Sequence, residues 1–387
     1  MIGAWLRGAL APARFDRAEL GGSLGDLGTF LPLLLGMSAQ NGLDFATALF
    51  FGGVFHLVTG LLFAIPLAVQ PMKAIAAVAL SEGLSVPQIV AAGMCVSALI
   101  LLLGLTGLID WLDRAMPRPV VRGIQLALGL SLLMKGAQMV GATTSAFAAD
   151  SWTTGVTGAL LVLLLLHSRR VPAALVLFLG GLVLALASAP GLAAQLGLGL
   201  SFPHWCPPAW SDFTSAFTRA ALPQIPLTTF NSVIAVCALS VNLFPERAAR
   251  PRRVACSVGL MNLVGGWFGA MPMCHGAGGL AGHYHFGARS NGSILLLGAG
   301  MLACAVFLGS SFAPLANAFP HSLLGVMLAF SGLELALVAR DQREKSDAFV
   351  MLATAGVGLA FNHIALGFAV GLALALVLRW TVRREQG

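Results

Sequence analysis

In FAIPLAVQPMKAIAAVAL, residues 63–80, Lys73 follows Gln70, Pro71 and Met72 in a run that is otherwise apolar. A charge in such surroundings costs about 2.5 to 3.5 kcal/mol on insertion scales, so it reads as functional unless it snorkels to water or pairs with an acid such as Asp26. Gln70 offers an amide that can donate and accept, to a ligand or to a neighbouring helix. A second stretch, MPMCHGAGGLAGHYHFG, places Cys274, His275 and Gly276 just after Pro272. His275 is suited to donating to an anion or carrying a proton near neutral pH. The glycines either let backbone approach a ligand or let helices pack closely. His283 and His285, flanking Tyr284, read as interfacial groups rather than metal ligands.

Two further stretches carry polar groups at helical spacing. In GSLGDLGTFLP, Asp26 and Thr29 share a helix face; Asp26 is a partner for Lys73, a proton-coupling carboxylate or an interfacial residue. In LPQIPLTTFNSV, Gln224, Thr228 and Asn231 make one polar stripe, which on an apolar helix must face protein or a cavity. Glu334 is a second candidate proton carrier. Thus Asp26, His275 and Glu334 compete for the proton, and Ala74 joins the anion-site candidates through its backbone N–H.

The elements that must hold these residues are membrane helices. The chain has 387 residues, 58% hydrophobic and only 10% charged, with a mean hydropathy of +0.88, whereas soluble domains are near one quarter charged. Apolar segments of about 20 residues, enough to cross the hydrocarbon core, predict an all-α polytopic fold with fourteen transmembrane segments: 19–40, 43–64, 66–82, 87–109, 120–141, 152–167, 171–189, 219–241, 253–270, 273–287, 291–310, 314–337, 347–361 and 362–380. With the N-terminus inside, nineteen of the 22 Lys and Arg fall in cytoplasmic segments, among them Arg169, Arg170, Arg383 and Arg384, leaving Lys73, Lys135 and Arg219. That bias sets topology, places both termini in the cytoplasm and accounts for the net charge of +7 without nucleic acid. Residues 1–18 read as a retained amphipathic lead-in, since their apolar run is too short for a secretory signal. The six scattered cysteines form no metal spacing. Walker A, HExxH and GxSxG motifs are absent, so neither ATP-driven transport nor hydrolysis is expected, and no cofactor is called for.

The chain also repeats. Leu27-Gly28-Thr29-Phe30 returns as Leu227-Thr228-Thr229-Phe230, and Pro71-Met72 as Pro272-Met273. The two near-equal offsets predict two seven-span repeats, 19–189 and 219–380, joined by an extracytoplasmic connector 190–218 and followed by a cytoplasmic tail 381–387. Seven being odd, the halves enter the membrane with opposite polarity, as in secondary transporters. The third and tenth segments are short and broken by proline. Each is predicted to run extended to Pro71 or Pro272 and to turn helical just after it. Two helix N-termini would then converge mid-membrane as an anion site, with donors near Lys73, Ala74, His275 and Gly276.

SLGDLGTFLPLLLGM, VQPMKAIAAVAL, LPQIPLTTFNSVIAV and GAMPMCHGAGGLAGHYHFGARS resemble signature segments of the molybdate transporter family, related to the SulP sulfate permeases. The resemblance implies a seven-plus-seven inverted-repeat fold, a core domain moving against a gate domain, and a tetrahedral oxyanion substrate, molybdate first and sulfate or another oxyanion as the alternative. It maps function onto Gln70 to Ala74 and Cys274 to Gly278. With the chain ending at Gly387, no STAS domain of the SulP kind is expected. A dianion cannot accumulate against an inside-negative potential unaided, so proton symport is expected, a passive anion channel being the rival. A bacterial inner membrane is the expected location, with lipid as partner and homodimerisation left open.

Overall fold

The computed structural model describes residues 7–166, 168 and 171–386. Met1 to Leu6 of the lead-in, Arg169, Arg170 and Gly387 lie outside the described residues, as do the side chains of Arg383 and Arg384. In chain order the main elements are α1 (Arg17–Ser23), α2 (Leu27–Asn41), α3 (Phe45–Phe63), β1 (Val69–Pro71), α4 (Lys73–Glu82), α5 (Val86–Thr106), α6 (Ile109–Ala115), α7 (Arg118–Gly141), α8 (Trp152–Leu165), α9 (Ala173–Ser188), α10 (Trp210–Leu243), α11 (Pro251–Gly265), β2 (Met273–His275), α12 (Ala277–His285), α13 (Gly292–Ala318), α14 (His321–Leu337), α15 (Lys345–Ala360) and α16 (Ile364–Gln386). Each of the fourteen predicted ranges overlaps a helix of this set, but the third and tenth also contain β1 and β2. Among the described residues, eight helices are long and apolar enough to cross a membrane by length and composition.

The boundaries differ where proline misleads. Pro314 was expected to open a segment but lies inside α13, and α14 starts only at His321. α10 begins at Trp210 rather than at 219, so the last part of the expected connector is helical. Pro223 and Pro226 cannot donate to the helical ladder, and α10 has π turns on either side of them, at Phe217–Ala221 and Thr228–Ala235. The first predicted segment breaks at Leu24–Asp26, and Asp16 caps α1 by accepting from the N–H groups of Ala18 and Glu19 at 2.9 Å.

The helices form two groups. In one, α3 packs on α13 and α5 on α11; in the other, α7 packs on α14, α15 and α16. Glycines set the spacing: a Cβ added at Gly129 would meet Gly332 O at 2.5 Å, one at Gly332 would meet Gly129 O at the same distance, and Gly53 and Gly298 stand in the same relation on α3 and α13.

The fold is not wholly helical. β1 and β2 pair antiparallel inside the first group, Val69 opposite His275, Gln70 opposite Cys274 and Pro71 opposite Met273, and Met72 N–H donates to Pro272 O at 2.9 Å. Buried backbone needs partners on both edges, and side chains supply them. Val69 N–H donates to His56 Nε2 at 3.3 Å, while the other ring nitrogen, Nδ1, donates to Gly52 O at 2.7 Å. Asn262 closes the opposite edge, accepting Met273 N–H at 2.7 Å and donating to Met273 O at 2.6 Å.

Candidate functional site

The pairing register moves the equivalence of the two breaks. Gln70 lies opposite Cys274, so Lys73, the first residue of α4, corresponds to Ala277, the first residue of α12. Matching Pro71 with Pro272 by sequence instead pairs Lys73 with Cys274. The first segment runs extended to Pro71 and turns helical at Lys73, as expected. The second stays extended through His275, and its helix starts after Gly276.

This shift changes what each candidate does. His275 is on the strand, fully buried, with Nδ1 against Ala68 O and Nε2 against Ser257 Oγ, both at 3.0 Å. Its ring faces Phe63, and it does not reach the cavity described below. Directly opposed residues of an antiparallel pair share a face and neighbours along the strand alternate, so Gln70 and Cys274 look one way and His275 the other. Cys274 meets the Ser232 side chain on that face. The expected donor at Ala74 is already used: Gln224 Oε1 accepts the N–H of Ala74 at 2.8 Å and of Ile75 at 3.4 Å, and Gln224 Nε2 donates to Thr228 Oγ1 at 2.9 Å. Gln224 and Thr228 therefore cap α4, and only Asn231 of the expected stripe faces open space.

That space is a cavity of about 450 Å³ lined from α2, α4, α7, α8, α9, α10, α12 and α14. Its lining brings together Asp26, Thr29, Lys73, Asn231 and Glu334, with Gly278 from the first turn of α12. Lys73 and the Thr29 side chain are the groups that act on Asp26, which is 5% exposed. Gly276, at the N-cap of α12, has no side chain to cap it, and among the described residues no hydrogen bond to the N–H of Ala277, Gly278 or Gly279 is seen, which leaves the first turn of α12 free to face a ligand. Gln70 sits one layer behind, against Gly276 and Gly279: a Cβ at Gly276 would collide with Gln70 Nε2, and one at Gly279 would lie 2.9 Å from that nitrogen and 3.0 Å from Asp26 Cγ. Both Gln70 amide atoms and Asp26 Oδ2 are buried without a hydrogen-bond partner among the described residues.

Some contributors escaped sequence reasoning. Gln125 and Ser331 line the cavity from α7 and α14, and the polar side chains of His56 and Asn262 within apolar helices were the visible signal for the strand edges. Glu19, buried at the start of the expected first span, accepts the N–H groups of Arg289, Ser290 and Ser293 at 2.8 to 3.0 Å and so holds the start of α13. His283 is buried, not interfacial, with Nδ1 on Gly22 O at 2.6 Å.

A family profile described as a molybdate transporter of the MFS superfamily matches residues 18–132 and 216–335. Molybdate transporter 2 of Arabidopsis thaliana is 42% identical over 418 residues, covering 97% of this chain and 90% of that protein. Among solved structures, the transmembrane domain of the cyanobacterial bicarbonate transporter BicA aligns with TM-score 0.68 at 15% identity, over 92% of this chain and 97% of that one. The murine solute carrier 26 family member A9 anion transporter in the inward-facing state aligns with TM-score 0.71 at 14% identity, over 98% of this chain and 72% of that one. Likeness at such identity concerns the fold alone, which is that of the SulP and solute carrier 26 transporters. The plant relative lends no support to a bacterial inner membrane.

Proposed function

Because the chain belongs to the molybdate transporter family, a family of integral membrane transporters rather than enzymes, we propose that it carries a tetrahedral oxyanion, molybdate, by proton-coupled alternating access. The observation that supports the proposal is the cavity wall where Lys73 and Gly278 of the first turn of α12 come together, with the unpartnered Gln70 amide one layer behind. Each of these groups favours an anion for its own reason. Lys73 supplies fixed charge, α12 supplies aligned N–H dipoles, and Gln70 supplies a donor whose desolvation is not offset by any protein partner. The donors expected at Ala74 and His275 give way to Gly278 and its neighbours, while Thr29 and Asn231 shape the wall.

In this reading the two helix groups are the core and gate domains, and the halves form a fourteen-span inverted repeat. The symmetric register of β1 and β2 and the reciprocal Gly129–Gly332 contact support that repeat, since each lies where a two-fold axis in the membrane plane would pass. The cavity is lined in part by Ser168, Val171 and Val338, next to the arginine-rich loops read as cytoplasmic, which supports reading this conformation as inward-facing. Asp26 on the core and Glu334 on the gate are the proton carriers, and His275, with both nitrogens engaged, is not assigned that role.

Binding calorimetry on purified protein with molybdate, tungstate and sulfate at several pH values tests the substrate. Replacing Lys73 by Ala is expected to weaken molybdate binding by about 100-fold, near 3 kcal/mol, with an unchanged melting temperature. Wild-type affinity in that variant would overturn the assignment.

A further inference from the structure

A second basic site lies away from the transport cavity, on the arginine-rich face. A pocket of about 260 Å³ is lined by Leu62 and Phe63 at the end of α3 and by Glu246, Arg247, Ala248, Ala249, Arg250 and Arg253 at the start of α11. Arg247 is committed: its Nη1 donates to Ala64 O at 2.9 Å, a favourable use of a cation at the C-terminal end of α3. Among the described residues no such bond is seen for Arg250 or Arg253. They stand at the N-terminus of a 15-residue helix that has no side-chain cap and opens with Pro251, where the helix dipole repels cations. Glu246 is the one carboxylate of the lining, against three arginines. The charge balance therefore calls for an anion.

The surroundings say which kind. Below the pocket, α3 presents Val58 and Leu62, 46% and 48% exposed, and α11 presents Leu260 and Val264, 55% and 54% exposed. Leu260 and Val264 lie seven and eleven residues beyond Arg253, on the same helical face, or about 10 and 16 Å deeper at 1.5 Å per residue. A cationic pocket on the arginine-rich side thus stands above exposed apolar residues of both α3 and α11, the two halves of an amphiphile's recognition. Basic pockets between membrane helices are suited to phosphate headgroups. We propose that this pocket binds the phosphate of an anionic phospholipid, with an acyl chain lying along the exposed faces of α3 and α11.

The test is thermal unfolding of the full-length detergent-solubilised protein with added phosphatidylglycerol, phosphatidylcholine or inorganic phosphate. Phosphatidylglycerol is expected to raise the melting temperature by several degrees more than phosphatidylcholine. The Arg250→Gln/Arg253→Gln variant should lose at least half of that difference, while Arg252→Gln, outside the pocket, should keep it. Equal shifts with both lipids, or an undiminished difference in the double variant, would overturn the proposal. The same shift with inorganic phosphate would overturn the lipid assignment in favour of a free anion. Should the double variant not fold, Arg253→Gln alone and native mass spectrometry of the wild type decide, the proposal requiring retention of phosphatidylglycerol over phosphatidylcholine.

Discussion

Lys73 enters none of the ion pairs among the described residues, which join Arg122 to Asp341, Arg219 to Glu82 and His321 to Asp150. Its ammonium is therefore held for something other than a fixed partner, and the nearby Asp26 acts on it without closing a bridge. The glycines beside it divide by what a methyl group would meet. Gly276 has an extended backbone, φ −153°, that any residue can adopt, so its requirement is space: the Gln70 amide fills the place of a side chain. At Gly278 nothing lies within 4 Å of an added Cβ. Gly278→Ala is expected to fold normally and to lose about tenfold in molybdate affinity by crowding the anion, whereas Gly276→Ala should displace Gln70 and lower both the melting temperature and the affinity. Paired unfolding and calorimetry measurements separate the two; equal stability losses would show that the cavity wall is packed rather than open at Gly278.

At the scale of elements, helix ends decide which dipoles are available. α4 is capped by Gln224, and among the described residues no side chain is seen to cap α12 in the same way, so the two breaks are unequal in a way no alignment of their prolines reveals. The helical ranges were legible because apolar length is written directly in composition, and the first break was legible because Pro71 both ends a strand and precedes a helix. The second break was expected too early, since pairing with β1, not Pro272, sets where α12 begins. Likewise the Gln224, Thr228 and Asn231 spacing assumed regular turns, and the π turns of α10 redirect Asn231 alone to the cavity. Asn262 bears the second strand's edge, and Asn262→Ala would leave the buried N–H and C=O of Met273 unpaired. A loss on the order of 3 kcal/mol is expected, measured by denaturant unfolding; a loss below about 1 kcal/mol would mean the edge finds other partners.

Asp150 shows the same logic outside the membrane. Burial alone would raise its pKa, but the hydrogen bonds from Ser322, including its N–H at 2.8 Å, and the neighbouring His321 hold the carboxyl below the ordinary range. A depressed folded-state pKa contributes stability that is present above the unfolded value and is lost as pH falls through the folded one. The start of α14 should accordingly loosen only in acid, below about pH 4. Asp150→Asn is expected to lower the melting temperature at pH 7 while changing little at the acid end, and so to flatten the acid limb of a melting temperature against pH curve; an unaltered limb would remove Asp150 from that role.

For the whole molecule the governing quantity is charge moved per cycle. A dianion entering an inside-negative cell costs about 4.6 kcal/mol per 100 mV, twice the single-charge value, and two protons cancel that cost. The cavity holds two carboxylates in different settings: Asp26, 5% exposed beside Lys73 just before α2, and Glu334, exposed on α14. If both are protonated when molybdate is loaded, the carried charge is zero and uptake is insensitive to voltage. Removing either proton site leaves one uncompensated charge. Asp26→Asn and Glu334→Gln are each expected to make uptake into proteoliposomes depend on membrane potential and to weaken its dependence on the pH gradient. Glu334→Gln should retain more of its anion affinity, because that residue does not contact Lys73. Potential clamped with valinomycin and a potassium gradient reads this directly. Voltage-insensitive uptake in both variants would show that neither carboxylate carries a coupled proton.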